Sequence, residues 1–197
     1  MRWWQALRQA YPKRSALTLA IAALIVCAVV GGALTGAAAV TLHLTATEQF
    51  CIGCHEMRDN AYAEFKDTIH DKNRTGVHVE CADCHLPREL VPMLIRKVEA
   101  SREVWGHIFG KLDTKEKYGK ARYEMAVREW TRMKKNHSQE CRNCHDFDAM
   151  DPEKQSEAAR ERHAKARSAG TDCIDCHFGI AHTEPDGPGP KELKIAR

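Results

Sequence analysis

The cysteines of this sequence recur in four copies of one pentapeptide, C-x-x-C-H. The copies are Cys51–His55, Cys81–His85, Cys141–His145 and Cys173–His177. In this motif two thiols can add to the vinyl groups of a haem while the adjoining imidazole binds the iron. A redox disulfide or a zinc site also uses paired cysteines, but neither requires a His directly after the second one. The repeat therefore predicts four covalently attached haem c groups, held by Cys51, Cys54, Cys81, Cys84, Cys141, Cys144, Cys173 and Cys176.

Each haem iron takes up to two axial ligands, so the histidines outside the motifs are candidates for the second position. His70 and His163 lie 11 and 10 residues before Cys81 and Cys173, and we expect both to bind iron. His182 follows His177 by five residues and could reach a neighbouring haem. The motifs themselves supply His85, His145, His177 and, at the first site, His55. We interpret the remaining histidines as solvated side chains: His43, His78, His107 and His137.

Those three additional histidines cannot serve four irons, so one iron should differ from the others. The first motif continues as Cys51-Ile-Gly-Cys-His-Glu-Met57. A thioether is a common haem ligand, although a single Met more often fills space in a core. Met57 is therefore a candidate ligand of the first iron.

The elements that position these residues are predicted to be helical. The motifs begin at 51, 81, 141 and 173, which indicates two di-haem modules, about 45–100 and 137–183. Apolar residues at helical spacing between them predict a linker of two helices, the second opened by a capping box at Asp113 and Glu116. We predict a mainly α fold with a thin side-chain core, and a flexible Pro- and Gly-rich tail at 184–197.

The N-terminal part of the sequence predicts a single transmembrane helix. No side chain from Ala16 to Val40 is charged, and such a helix would be about 37 Å long, enough to cross a bilayer. Basic residues at 2, 8, 13 and 14 precede it, which predicts a cytoplasmic segment 1–15, an anchor at 16–44 and a haem domain in the bacterial periplasm. A cleaved signal peptide is the alternative, but its apolar core is usually only about 7–15 residues long. The net charge of +3 gives no reason to expect nucleic-acid binding.

Longer runs around the motifs resemble the NapC/NirT family of membrane-anchored tetrahaem quinol dehydrogenases, with the NapC branch nearest. The runs are Phe50–Met57, Asn73–Val77, Cys81–Pro87, Glu103–Gly106, Ser138–His145 and Cys173–His182. The resemblance implies that menaquinol or ubiquinol is oxidised near the first haem at the bacterial inner membrane. It further implies that the electrons reach a soluble periplasmic reductase, with nitrate reductase the expected acceptor in nitrate respiration and denitrification.

The same resemblance implies roles for individual residues. Met57 would bind the first iron, whose opposite face would be open or weakly occupied, and His55 would then be doubtful as an iron ligand. His163, His182 and His70 would serve the second, third and fourth haems. Lys97 would lie at the quinol site, and Glu103 is the nearest match to an acidic residue there.

Two other functions stay open from sequence alone. The chain could be an electron-transfer subunit for another periplasmic reductase, such as a nitrite reductase, without a quinol site of its own. It could also reduce a polar substrate itself, which would need an open haem facing a polar pocket. Quinol oxidation needs a one-electron acceptor and a proton-accepting group close to lipid. Lys97 and Glu103 lie on a predicted amphipathic helix that meets this need, although either could simply be a solvated charge.

Overall fold

The computed structural model describes residues 13–193, which contain no β-strand. The chain divides into two units at the boundary between Thr45 and Ala46. The described part of the first unit is one helix, α1, at Lys13–Leu44. The helices of the second unit are α2 (Glu48–Cys51), α3 (Ala63–Phe65), α4 (Cys81–His85), α5 (Leu90–Ile108), α6 (Lys115–Lys135), α7 (Gln139–Arg142) and α8 (Glu157–Ala169). A π-helical turn occupies Met57–Tyr62, and 3₁₀ turns occupy Pro152–Lys154, Cys173–Asp175 and Pro190–Glu192.

Helix α1 has the length and composition of a membrane span. Its 29 residues from Ala16 to Leu44 form the one helix in the described range that is long and apolar enough to cross a bilayer. The hydroxyls of Thr35 and Thr41 donate to carbonyls four residues earlier at 2.8 Å, so neither polar group is left unpaired on the apolar surface. Cys27 is exposed on this helix and belongs to no haem motif. The predicted cytoplasmic segment falls largely outside the described residues.

The two long helices of the second unit form at the predicted place but begin differently. Thr114, not Asp113, is the N-cap of α6, because its hydroxyl accepts from the backbone N–H of Lys117 at 3.3 Å. Asp113 instead pairs with the Lys117 ammonium at 2.7 Å. A Thr at this position supplies one of the acceptors that the first turn of a helix lacks. The capping box predicted at Asp113 is therefore wrong, and the N-cap lies one residue later.

The side-chain core is small and centres on α6. Trp130 and Met133 of this helix pack against Ile174 of the fourth haem motif. The ring of Trp130 also meets that of Phe178 edge to face, with centroids 5.6 Å apart. Five hydrophobic side chains are buried in residues 13–193, which matches the expectation of a thin core. Four bound haems would add large apolar surfaces to it.

A strained turn fixes the third motif against the fourth. His137 and Ser138 both have positive φ angles, 55° and 54°, a backbone conformation that residues other than Gly rarely adopt. The fully buried hydroxyl of Ser138 accepts from the backbone N–H of Ile174 at 3.2 Å. The turn thus joins the start of α7 to the residue that follows Cys173.

The segment after His182 differs from the predicted flexible tail. Pro190 is fully buried, and its carbonyl accepts from the Lys134 ammonium at 2.7 Å. The same ammonium pairs with Asp175 at 2.7 Å, with both side chains buried. The Tyr123 hydroxyl donates to the Pro188 carbonyl at 3.1 Å. Up to residue 193, the Pro-rich segment is packed against α6, because its fixed φ angles cost little entropy and α6 supplies the hydrogen-bond donors.

Candidate haem centres

The second and fourth motifs each begin at a short helical turn that is capped locally. In the second motif the backbone N–H of Glu80 donates to Asp83 at 2.9 Å, and in the fourth that of Asp172 donates to Asp175 at 3.2 Å. Both are capping boxes, which pair backbone donors that a helix start leaves free. The Asp before the second Cys in these two motifs therefore has a structural role. It sets the turn that presents both thiols.

The attachment cysteines lie next to one another in motif order. The thiol of Cys51 lies against that of Cys81, which lowers the pKa of Cys51 to about 7. The thiol of Cys141 lies against that of Cys173 in the same way and lowers the pKa of Cys173 to about 6. Helices α4 and α7 are also in contact, which brings the second motif to the third. The four attachment points thus form one continuous row.

Every motif imidazole faces one imidazole from outside the motifs. The centroids of these ring pairs are 5.9 Å apart for His55–His107, 6.3 Å for His70–His145, 6.1 Å for His85–His182 and 6.0 Å for His163–His177. A metal-bound imidazole nitrogen lies about 2 Å from the ion and its ring centre about 1 Å further back, so two opposed ligands have centroids about 6 Å apart. The pairs fit two axial ligands on one iron, and these residues could hold four haems.

These pairs differ from the assignment implied by the resemblance. His70 faces the third motif, although the resemblance implied the fourth haem. His182 faces the second motif instead of the third. His163 faces the fourth motif instead of the second. Two of the pairs also join the predicted modules, because His70 and His85 each face an imidazole from the other half of the chain. Two ring pairs therefore connect the halves of the sequence to which the two di-haem modules were assigned.

The outer nitrogens of several of these rings are held by the protein. Nδ1 of His182 lies 3.1 Å from the Ala61 carbonyl, and Nδ1 of His163 lies 2.7 Å from Oε1 of Gln155. Nδ1 of His85 lies 3.2 Å from Oε1 of Glu129. An acceptor at Nδ1 fixes the tautomer that leaves Nε2 available to a metal. Neither Gln155 nor Glu129 belongs to a recognisable motif, so these two residues could not be identified from the sequence.

The electrostatics of the second site favour neutral imidazole and ionised carboxylate. Burial and the neighbouring His85 lower the pKa of His182 to about 4. Burial opposes ionisation of Glu129, but His85 and Arg132 outweigh it and hold the pKa of this carboxyl well below its usual range. Burial and His145 likewise lower the pKa of His70. An imidazole must be neutral to bind iron, so these surroundings suit a ligand.

The first site has a buried carboxylate that the sequence analysis missed. Oε1 of Glu56 lies 2.7 Å from Nδ1 of His107 and 3.4 Å from Nε2 of His55. Glu56 is only 4% exposed, and His107 lowers its pKa although burial opposes this. His107 is therefore not the isolated, solvated residue that was expected. His78 and His137 have other partners, since their Nδ1 atoms lie 3.1 Å from the Asp71 carbonyl and from Oδ1 of Asp172.

Comparison with known proteins identifies the family of this chain. The model of the NapC/NirT cytochrome c family, N-terminal region, matches residues 13–187. This chain belongs to the NapC/NirT cytochrome c family. Cytochrome c-type protein NapC of Escherichia coli (strain K12) is 46% identical over 186 residues, covering 94% of this chain and 88% of the relative. Denitrification system component NirT of Stutzerimonas stutzeri is 50% identical over 164 residues, covering 83% and 82%. Cytochrome c-type protein NapC of Paracoccus pantotrophus is 51% identical over 149 residues, covering 75% and 63%. No solved structure gave a match.

Membership of the NapC/NirT family makes this chain a c-type cytochrome, an electron-transfer protein whose cofactor is haem c. The four motifs match that cofactor, and α1 provides a membrane anchor. The eight motif cysteines are each at least partly accessible. Thioether attachment to haem requires such access.

The two residues predicted for a quinol site have different surroundings. Lys97 is half-buried on α5 and lies close enough to Cys51 to affect its ionisation, while burial lowers the pKa of Lys97. Glu103, two turns further along α5, instead pairs with Arg128 of α6 at 3.3 Å. Lys97 is therefore associated with the first motif of this NapC/NirT protein, and Glu103 with the packing of α5 on α6.

Proposed function

We propose that this chain oxidises membrane quinol and passes the electrons through its four haems to a soluble periplasmic reductase, with nitrate reductase as the acceptor. The observation that carries the proposal is the position of Lys97. This residue lies close to the first motif, and it belongs to the helix that exposes most of the large hydrophobic side chains of the second unit. In this proposal the haem domain is periplasmic, because the basic residues before the apolar run of α1 favour a cytoplasmic N-terminus.

That helix is α5. Its exposed large hydrophobic side chains, together with the residue after its end, are Leu90, Val91, Leu94, Ile95, Val98, Val104, Trp105, Ile108 and Phe109. An amphipathic helix with aromatic residues is suited to the boundary between lipid headgroups and acyl chains. The second unit begins at Ala46, two residues after α1 ends. We propose that quinol binds against the apolar surface of α5.

Lys97 has the chemistry that quinol binding requires. Its half-buried ammonium can hydrogen-bond to a quinol oxygen, and its lowered pKa makes proton exchange easier than for an exposed lysine. Bound haem c supplies the one-electron carriers for this chemistry. The row of attachment cysteines from Cys51 to Cys173 provides an ordered path from this end of the domain. Glu103 is a less direct candidate, since its carboxylate is engaged by Arg128.

The three imidazole pairs of the second, third and fourth motifs are proposed as axial ligands. The ligand supplied by the first motif is proposed to be Met57. Two features support this: Met57 begins a π-helical turn, a rare element that is frequent at functional sites, and Nε2 of His55 is close to the Glu56 carboxylate.

A second acceptor is supported by one of the relatives, whose name places it in a denitrification system. The chain could then serve a nitrite or similar reductase, with or without a quinol site. The two readings differ in what Lys97 does. Only a quinol dehydrogenase needs this residue for reduction of its own haems.

The test replaces Lys97 by Gln in the membrane-bound protein and measures haem reduction by a menaquinol analogue. We expect at least a tenfold slower reduction, with four haems still attached and still fully reduced by dithionite. Lys120→Gln is the matched control, because Lys120 is exposed on α6 away from any motif, and it should be without effect. An unchanged quinol rate in Lys97→Gln would contradict a quinol site at this residue and favour the electron-transfer subunit.

A further inference from the structure

We propose that His107 is an axial ligand of the first haem, on the face opposite the ligand that the first motif supplies. The inference depends on haem attachment at Cys51 and Cys54 and not on quinol oxidation. It replaces an iron with one open face by an iron with two protein ligands.

The first argument is the position of the ring. The centroids of His107 and His55 are 5.9 Å apart, which is within 0.4 Å of the separations in the other three pairs. His107 therefore lies as close to the first motif as His182 lies to the second, and Met57, the ligand proposed from that motif, follows His55 by two residues. One ligand atom from each of His107, Glu56 and Cys54 lies within 4.8 Å of the others, which brings the ring directly to a haem-attachment point.

The second argument is the orientation of the ring. Nδ1 of His107 lies 2.7 Å from the Glu56 carboxylate, as Nδ1 of His163 lies 2.7 Å from Gln155. A carboxylate that accepts from Nδ1–H fixes the tautomer with a free Nε2 and increases the basicity of that nitrogen. Glu56 has the geometry of such an orienting residue, since it is almost fully buried and accepts this hydrogen bond across 51 residues of sequence.

The third argument is the location of His107 in the fold. It lies in the last turn of α5, and the preceding Gly106 is buried. A Cβ at Gly106 would come within 2.8 Å of the Leu112 side chain. The backbone carbonyl of Gly106 also accepts from the N–H of Lys111 at 2.7 Å. The loop after α5 is thus folded tightly against its last turn, which holds His107 in place.

The experiment uses the purified full-length protein with its haems, and measures electron paramagnetic resonance and near-infrared magnetic circular dichroism of the oxidised form. In the wild type we expect low-spin signals from all four haems. In His107→Ala we expect one haem of the four, a quarter of the iron, to become high-spin, with all four haems still attached. Added imidazole should return that haem to the low-spin state.

His78→Ala is the matched control, because the side chains of His78 and His107 are similarly exposed, 48% and 44%. Among the ring pairs of the described residues, His78 faces no motif imidazole. It should leave the spectra unchanged. Glu56→Gln should keep four low-spin haems but shift the signal of one, since the ligand remains and its orienting charge is lost. One high-spin haem already present in the wild type would overturn the proposal, whatever the variants do. So would spectra of His107→Ala that match those of the wild type.

Discussion

Glu64 forms a clamp that holds the segment carrying His182. Its carboxylate accepts from both guanidinium nitrogens of Arg122, one at 2.6 Å, and from the backbone N–H of Thr183 at 2.9 Å. Arg122 in turn donates to the Thr183 carbonyl at 2.6 Å. In the proposed set of axial ligands His182 binds the second iron, and its release would break both bonds to Thr183. We therefore expect Glu64→Gln to make that release easier.

The size of the effect follows from these contacts. A hydrogen bond to a charged group contributes about 1.5–3 kcal/mol, and the amide of Gln keeps one acceptor but no charge. The side chains of Arg122 and Glu64 are 22% and 25% exposed, so solvent screens part of the interaction. A net loss of about 1.5 kcal/mol corresponds to about a tenfold larger population with His182 released.

Cyanide binding to the oxidised protein measures that population, because an external ligand can reach the second iron only when His182 has left. The apparent cyanide affinity should rise about tenfold in Glu64→Gln. Glu153→Gln is the control, since Glu153 pairs with Arg160 on the surface and its side chain is 83% exposed. An unchanged cyanide affinity in Glu64→Gln would refute the idea that the clamp holds this ligand.

Three further predictions concern pH, the turn at Ser138 and Met57. Burial opposes ionisation of Glu64, but Arg122 and Thr183 outweigh it and lower the pKa of this carboxyl. The stabilising effect of ionised Glu64 should therefore be fully present above the unfolded pKa of about 4.3, and it should be lost as the pH falls through the lower pKa of the folded state. Cyanide titrations at decreasing pH should show easier release in the wild type and little change in Glu64→Gln; parallel curves would contradict this. Ser138→Ala should lower the free energy of unfolding, measured by denaturant titration, by about 1–3 kcal/mol, because the N–H of Ile174 loses a buried acceptor. The control is Ser101→Ala at an exposed position, which should change the free energy of unfolding by less than about 0.5 kcal/mol. Met57→Leu should remove the near-infrared charge-transfer band of a thioether-ligated haem, and its persistence would exclude Met57 as a ligand.

The helical class, the membrane anchor and the family could be predicted from the sequence, because the signals that carry them are local. C-x-x-C-H is complete within five residues, and a charge-free run long enough to span a bilayer is visible directly. The same locality explains the error in the cap of α6. Asp113 and Thr114 both suit an N-cap, and only the backbone geometry selects Thr114.

The pairing of the imidazoles could not be predicted in this way, because it depends on contacts between distant parts of the chain. His70 precedes the second motif by a spacing close to that of His163 and the fourth, yet only His163 faces the motif that follows it. His70 instead faces His145 of the third motif, 75 positions later in the sequence. The contact between His107 and Glu56 was missed for a similar reason, since the two residues are 51 positions apart in the sequence.

The claim on which the whole account depends is that four haems are attached to this chain. Intact-mass analysis of the protein purified from membranes tests it most directly. We predict a mass that exceeds that of the polypeptide by four haem groups, with peptide mapping that places one on each C-x-x-C-H motif. A mass with three or fewer haems, or a haem-free motif in the mapped peptides, would contradict the account.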